Sequence, residues 1–163
     1  MKKLLVQYGC YNLWANQLII SNINNLTDEQ IYQQSVSSFP TIFKTLEHMW
    51  DAESIWWQRM KLIDNVIWPS SEFKGTIMEL GNNLIQQSKQ WKEWIELATE
   101  AALEHEYIYQ NSKKDRFKQP VYETIQHLFN HQSFHRGQLI SQMKFAGCTK
   151  IPNTDLIAFL RKK

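Results

Sequence analysis

Apolar side chains recur at intervals of three and four residues along most of the chain, the pattern of helices that bury one face. The pattern predicts four long helices, over residues 2–24, about 38–62, about 76–103 and about 120–145. Ser38, two residues ahead of Pro40, is expected to cap the second helix, because serine and proline both suit a helix start. Gly147 is expected to end the fourth.

Shorter elements lie between and after these helices. Residues 27–30 (TDEQ) have the form of a capping box and predict a brief helical turn. A last short helix is expected over residues 155–160, capped by Asn153 or Thr154. Residues 107–111 favour β structure, and either a loop or a short two-stranded flap fits them.

These elements predict an all-α fold. Four long helices in one chain of 163 residues indicate a single domain over residues 1–163, organised as a four-helix bundle. The short C-terminal helix follows the bundle, and the small flap, if present, lies between helices 3 and 4. The tryptophans on apolar stripes are expected in the core: Trp14, Trp56, Trp91 and Trp94.

Composition narrows the classes of function. The chain has 18 basic and 16 acidic residues, a net charge of +2, and no clustered basic stripe, which argues against nucleic-acid binding and against an electrostatic membrane anchor. No apolar run approaches the roughly 20 residues of a membrane span. Cys10 and Cys148 form no CxxC pair and are expected to be reduced. The N-terminus is interrupted by polar residues and lacks a cleavage site, so we expect a cytoplasmic protein.

Three of the five histidines, His127, His131 and His135, follow one another at four-residue spacing on the fourth helix. Residues at this spacing share a helix face, and two imidazoles there can bind one metal ion. His127 and His135 are separated by about 12 Å of helix rise, too far to share an ion. The spacing therefore allows His127 with His131 or His131 with His135, and does not choose between them.

A third ligand would have to come from another helix. His48 is the leading candidate, because it lies in the middle of the second helix among apolar residues. Glu47 and Asp51 lie nearby and are candidates for accepting a hydrogen bond from an imidazole, or for a general base, whereas we expect Glu53 to be a solvated charge. His105, between two glutamates near a helix end, is expected at the surface.

Several segments resemble the DinB/YfiT-like family of damage-inducible bacterial proteins. The main motif is His127-Leu-Phe-Asn130-His131-Gln-Ser-Phe-His135-Arg136-Gly137-Gln138. Three further segments are also similar, so the resemblance covers nearly the whole chain in order: Ser38-Phe39 through residues 45–53 (TLEHMWDAE), residues 11–16 (YNLWAN) and the tail from Gly147 to Leu160. Phe134 stands where relatives often have tyrosine or threonine.

The resemblance implies a four-helix bundle with long crossover connections and a divalent metal ion, zinc, nickel or iron-like, held by His48, His131 and His135. It leaves His127 outside the triad. It also implies a homodimer, and some relatives are thiol-dependent S-transferases or isomerases.

Two functions follow as hypotheses. One is a metalloenzyme with an open three-histidine site, acting as a thiol-dependent S-transferase or a hydrolase on a small-molecule thiol or electrophile. The other is a non-catalytic, metal-stabilised binding or stress-response protein. No catalytic residue is identified. Gly137 predicts a close helix approach or a dimer interface, and Arg136 and Gln138 are expected to hold a neighbouring helix or a partner chain.

Overall fold

The computed structural model describes residues 1–162, and within that range it contains seven α-helices and one two-stranded antiparallel sheet. The helices are α1 (Lys2–Ile23), α2 (Asp28–Tyr32), α3 (Ile42–Met60), α4 (Ile77–Leu97), α5 (Glu100–Glu104), α6 (Val121–Phe145) and α7 (Leu156–Leu160). The strands are β1 (Glu106–Gln110) and β2 (Arg116–Pro120), and a 3-10 turn spans Pro69–Glu72.

The four long helices form the predicted bundle. Helices α1 and α3 each pack against both α4 and α6, so α1 lies diagonally opposite α3, and α4 lies opposite α6. The connections from α1 to α3 and from α4 to α6 therefore cross the bundle, as the family resemblance implied. The two strands confirm the flap, which was one of two alternatives for residues 107–111. No helix among the described residues is long and apolar enough to cross a membrane.

The start of α3 and the end of α4 differ from the prediction. Thr41, and not Ser38, caps α3, and its side chain accepts a hydrogen bond from Lys44 N at 3.1 Å. The preceding residues cannot be helical, because the backbone N–H of Ser35 donates to Pro40 O at 2.7 Å and fixes a bent loop. The third helix ends at Leu97, because Ala98 is extended and Thr99 caps the separate helix α5.

The end of α6 agrees with the prediction, whereas the cap of α7 does not. Gly147 has a φ of +84° and follows α6 in a Schellman arrangement, in which Cys148 N donates to Met143 O at 2.9 Å. Asn153 and Thr154 do not cap α7: its N-cap is Asp155, whose own N–H donates to Asn153 Oδ1 at 2.9 Å. Both cysteines are free thiols, as expected.

The buried side chains form two apolar clusters separated by a polar layer at mid-height in the bundle. One cluster contains Ile20, Leu46, Leu84 and Leu139, and the other contains Trp91, Ile95, Ile125 and Phe129. Of the four tryptophans expected in the core, Trp91 is fully buried, while the others are partly exposed. The members of the polar layer come from all four long helices: Asn12, Asn16, Glu53, Ser88, Gln132 and Arg136.

Glu53 is an acceptor of the polar layer and not the solvated charge that we expected. Its side chain is fully buried, and Asn12 Nδ2 donates to its carboxylate at 2.9 Å. Ser88 Oγ lies 2.9 Å from both carboxylate oxygens, and Asn16 Nδ2 lies 3.4 Å from one of them. Burial raises the pKa of Glu53 to about 7, although these hydrogen bonds and the charge of Arg136 oppose the shift.

Arg136 is the cation of the same layer and is also buried. Its Nη1 donates to Asn12 Oδ1 at 2.7 Å and to Asn16 Oδ1 at 3.0 Å, and its Nη2 donates to Ser133 Oγ at 2.8 Å. The two asparagines thus bridge Arg136 and Glu53 by using their oxygens on one side and their amide groups on the other. Arg136 holds α6 against a neighbouring helix, as expected from the sequence.

We predict that Glu53→Gln removes one component of the pH dependence of stability. The folded protein keeps the Glu53 proton up to about pH 7, whereas the unfolded chain loses it near its ordinary pKa of 4.5. The free energy of unfolding of the wild type should therefore fall, relative to that of the variant, as the pH rises from about 4.5 to about 7. Urea unfolding at several pH values measures this difference.

Glu104→Gln is the matched control, because Glu104 is exposed. This variant should follow the wild type across the same pH range. Parallel stability curves for wild type and Glu53→Gln would show that the pKa of Glu53 is the same in the folded and the unfolded state, and would contradict the prediction.

Candidate metal centre

The three histidines selected by the family resemblance lie together at the level of the polar layer. His48 comes from α3, and His131 and His135 come from α6. His131 Nε2 lies 3.1 Å from His48 Nε2 and 3.1 Å from His135 Nε2. One ligand atom from each residue lies within 4.8 Å of the other two, which is the spacing of a group that could hold a metal ion.

The packing of α3 against α6 explains why His48 faces the other two. Gln132 Nε2 donates to the backbone oxygen of Met49 at 2.8 Å. Met49 directly follows His48, and Gln132 directly follows His131. This buried hydrogen bond therefore joins the two helices at the residues next to the two histidines. His135 then joins His131 because four residues make about one helical turn.

A hydrogen bond sets the tautomer of His135. Its Nδ1 lies 2.7 Å from Gln138 Oε1, and since that oxygen only accepts, Nδ1 must carry the proton and donate it. In the neutral ring, Nε2 then presents its lone pair toward the other two imidazoles. This orientation is typical of a histidine that ligates a metal through one nitrogen while a neighbour holds the other.

The position of the shared nitrogen of His131 suits a group of metal ligands. A neutral Nε2 either donates one proton or accepts one, so it cannot satisfy His48 and His135 together at 3.1 Å each. Two imidazoles on one tetrahedral zinc ion place their nitrogens about 3.3 Å apart, from bonds of about 2.0–2.1 Å. The observed separations are close to this value, and the residues therefore fit a divalent metal ion.

Burial keeps the three imidazoles neutral. Burial, and after it the neighbouring His135, lower the pKa of His131 to about 3 and that of His48 to about 4. Burial also lowers the pKa of His135, against the opposing effect of its hydrogen bond to Gln138. At neutral pH these rings are therefore in the form that binds metals.

Phe39 lies against the triad, and sequence reasoning missed it. Its ring stacks on His48 at a centroid distance of 4.1 Å and meets the edge of His135 at 5.7 Å. The amide of Gln142 donates to the Phe39 backbone oxygen at 2.8 Å and so fixes the loop that carries the ring. The sequence signals were its place at the start of a segment that resembles the family and its position immediately before Pro40, and neither indicates a partner.

His127 stays outside the triad. Its ring packs edge-on against Trp56 at 5.2 Å and lies 5.9 Å from the ring of His131. The fifth histidine, His105, is exposed, as predicted.

The nearby carboxylates do not support the histidines. Asp51 accepts from the backbone N–H and the hydroxyl of Ser70, at 2.9 and 2.6 Å. Glu47 pairs with Lys44 at 2.6 Å. Glu53 belongs to the polar layer, as described above. The acceptor of an imidazole proton is Gln138, which we had expected to hold a neighbouring helix or a partner chain.

Known proteins resemble this chain in sequence and in fold. The sequence profile of the DinB family matches residues 1–163. Protein DinB of Bacillus subtilis (strain 168) is 26% identical over 157 residues, covering 92% of this chain and 90% of that protein. The crystal structure of YjoA, a DinB-like protein from Bacillus subtilis, has a TM-score of 0.65 at 15% identity, covering 91% of this chain and 98% of YjoA. The chain belongs to the DinB family.

Proposed function

We propose that the protein binds one divalent metal ion through His48, His131 and His135, and that it is a metalloenzyme. The observation that carries the proposal is the convergence of three Nε2 atoms, with separations of 3.1 Å that protons alone cannot satisfy. Three protein ligands leave a coordination position open, as in catalytic zinc sites. Zinc, nickel and iron-like ions all accept imidazole ligands.

The reaction class that we propose is thiol-dependent S-transfer, with hydrolysis as the related alternative. A bound divalent ion lowers the pKa of a coordinated thiol or water and so supplies a nucleophile near neutral pH. In the transfer, the thiol sulfur forms a bond to an electrophilic carbon, the leaving group departs with the bonding electron pair, and the thiol proton passes to solvent.

The chain's own residues orient and shield the site. Gln138 holds the proton of His135 Nδ1 and keeps Nε2 directed inward. Phe39 covers one face of His48 and limits the access of water on that side. His48 and His131 keep part of their surface exposed, which leaves an approach for a small molecule.

We predict that each triad substitution lowers metal content. Untagged wild-type protein should contain about one equivalent of divalent metal, and His131→Ala should retain least, because its nitrogen lies between the other two. The loss of one ligand typically costs well over the 10–100-fold in affinity that is seen for residues supporting a metal ligand. Elemental analysis after dialysis measures the content.

His127→Ala and His105→Ala are the controls, since both residues lie outside the triad. Each should retain the metal content of the wild type. If His48→Ala kept the full metal content and His127→Ala lost it, the result would contradict the triad and would place the ion between His127 and His131.

We predict thiol-dependent loss of an electrophile in the presence of the metal-loaded protein. The assay would follow consumption of a chloroaromatic electrophile with cysteine as the thiol, and of a nitrophenyl ester for hydrolysis. His131→Ala should reduce either rate to that of the reaction without protein. Metal-loaded protein with neither activity, across several thiols and esters, would contradict the enzymatic proposal.

A non-catalytic role is the second candidate. It is favoured by the absence, among the contacts of the described residues, of a carboxylate that could act as a base beside the triad. In that case the ion would serve to tie α3 to α6. Chelation would then lower the melting temperature without abolishing any activity.

We also propose that the protein is a homodimer that uses the outer face of α6. A Cβ added at Gly137 would meet no atom within 4 Å, so the close approach predicted at this glycine is not made within the described chain. Phe134 and Phe145 are both 62% exposed and lie on the groove beside it, together with Val36. Exposed apolar patches of this kind often mark interfaces between subunits.

The oligomeric state is tested by Phe145→Lys in sedimentation velocity. A lysine at the end of α6 leaves the helix intact but places a charge in the interface, so the dimer should dissociate at micromolar protein concentration. Leu97→Lys is the matched control, since Leu97 ends α4 and is 84% exposed elsewhere. Equal sedimentation of the two variants would contradict this interface.

A further inference from the structure

A second cleft lies away from the histidines, between the end of α3 and the β-hairpin. Its volume is about 650 Å³, within the range of small-molecule sites. One wall is the loop that follows α3, and the other wall comes from β1, β2 and their turn. The polar and aromatic side chains that line it include Arg59, Asn65, Trp68, Tyr109, Asn111 and Arg116.

Arg59 is half-buried in this cleft without an anionic partner. Among residues 1–162, no ion pair includes Arg59, and its Nε is buried without a hydrogen-bond acceptor. The guanidinium carbon lies 4.7 Å from the ring centre of Trp56 and 5.5 Å from that of Tyr109. Aromatic faces attract the cation, but they cannot accept the directed N–H bonds of a guanidinium as oxygens do.

The cleft carries a net positive charge. Arg116, the first residue of β2, also lines the cleft. No ion pair of the described residues includes Arg116. Asp64 is the acidic residue in the lining, and it pairs with neither arginine. Two cations against one anion, in a partly enclosed volume, favour an anionic ligand.

The wall formed by the loop is fixed before any ligand arrives. The side chain of Gln58 donates to Ile67 O and accepts from Ile67 N, each at 2.8 Å, and so clamps the loop onto α3. The two hydrogen bonds from Ser70 to Asp51 hold its far end. Leu62 has a φ of 56°, a left-handed conformation that is unusual for leucine and that turns the chain sharply after α3. A preformed wall reduces the cost of ordering on binding.

We propose that this cleft binds a small organic anion, whose carboxylate or phosphate oxygens pair with Arg59 and, at longer range, with Arg116. The apolar or aromatic body of the ligand would lie against Trp68 and Tyr109. The guanidinium group suits both oxyanions, because its N–H groups form paired hydrogen bonds to two oxygens. Arg59 follows His48 by eleven residues, about 16 Å of helix rise, so this site does not depend on the proposed metal.

The test is an NMR titration of the full-length, ¹⁵N-labelled protein with sodium benzoate and, separately, sodium phosphate, with sodium chloride at matched ionic strength as reference. The Arg59 Nε–H resonance and the amides of residues 108–111 should shift and saturate with at least one oxyanion. Tighter binding of benzoate would identify a carboxylate ligand, and tighter binding of phosphate a phosphorylated one. For Arg59→Gln, binding is followed by the amide resonances of residues 108–111. Its affinity for the oxyanion should fall at least about tenfold, the usual scale for a charge-assisted pair.

Three further variants keep the result interpretable. Arg161→Gln removes one exposed positive charge elsewhere and should bind like the wild type. Arg59→Lys keeps the positive charge but not the planar guanidinium group that forms paired hydrogen bonds. Its affinity should be intermediate, and it serves as the test if Arg59→Gln is poorly folded. His131→Ala should bind fully. The proposal is overturned if neither oxyanion shifts these resonances beyond chloride, if Arg59→Gln and Arg161→Gln bind alike, or if His131→Ala abolishes binding.

Discussion

The fold depends on accommodating the buried charge of Arg136 in the middle of a four-helix bundle. A buried guanidinium is tolerated only where acceptors surround it. Asn12 and Asn16 supply those acceptors from α1, and they pass the interaction on to Glu53 of α3 through their amide groups. Because Ser88 of α4 also donates to Glu53, one connected network fixes all four long helices at the same height.

This layer also determines where the histidines lie. Consecutive residues on a helix point about 100° apart, so once Arg136 is directed to α1, His135 is directed toward α3. Gln132, on the Arg136 side of α6, bonds to the backbone of Met49, which brings His48 of α3 level with His131. The close approach of three neutral imidazoles, unfavourable by itself, is therefore held by polar bonds on the neighbouring face of the same helix.

The sequence predicted the parts of this arrangement that depend on local spacing. The four-residue spacing of His131 and His135, the helical periodicity and Gly147 are all properties of short segments. Glu53 was misjudged because its burial is decided by Asn12 and Ser88, which lie 41 and 35 residues away. The packing of Phe39 on His48 was missed for another reason: Phe39 lies in the loop before α3, and helical periodicity does not predict the path of a loop. The break after Leu97 did have a local signal, in Thr99, but the apolar periodicity concealed it.

Arg136 is buried and Arg59 is half-buried, and the two arginines differ in the partners that the protein gives them. This difference distinguishes a structural role from a candidate binding role. The Nη groups of Arg136 donate three hydrogen bonds within the protein, so both of its terminal nitrogens have partners in the fold, although its Nε has none. Arg59 is held only by aromatic faces, and a cleft adjoins it. Desolvation lowers the pKa of both, yet an arginine stays charged at any physiological pH. The terminal nitrogens of Arg136 therefore have a structural role, whereas for Arg59 we propose a partner from outside the chain.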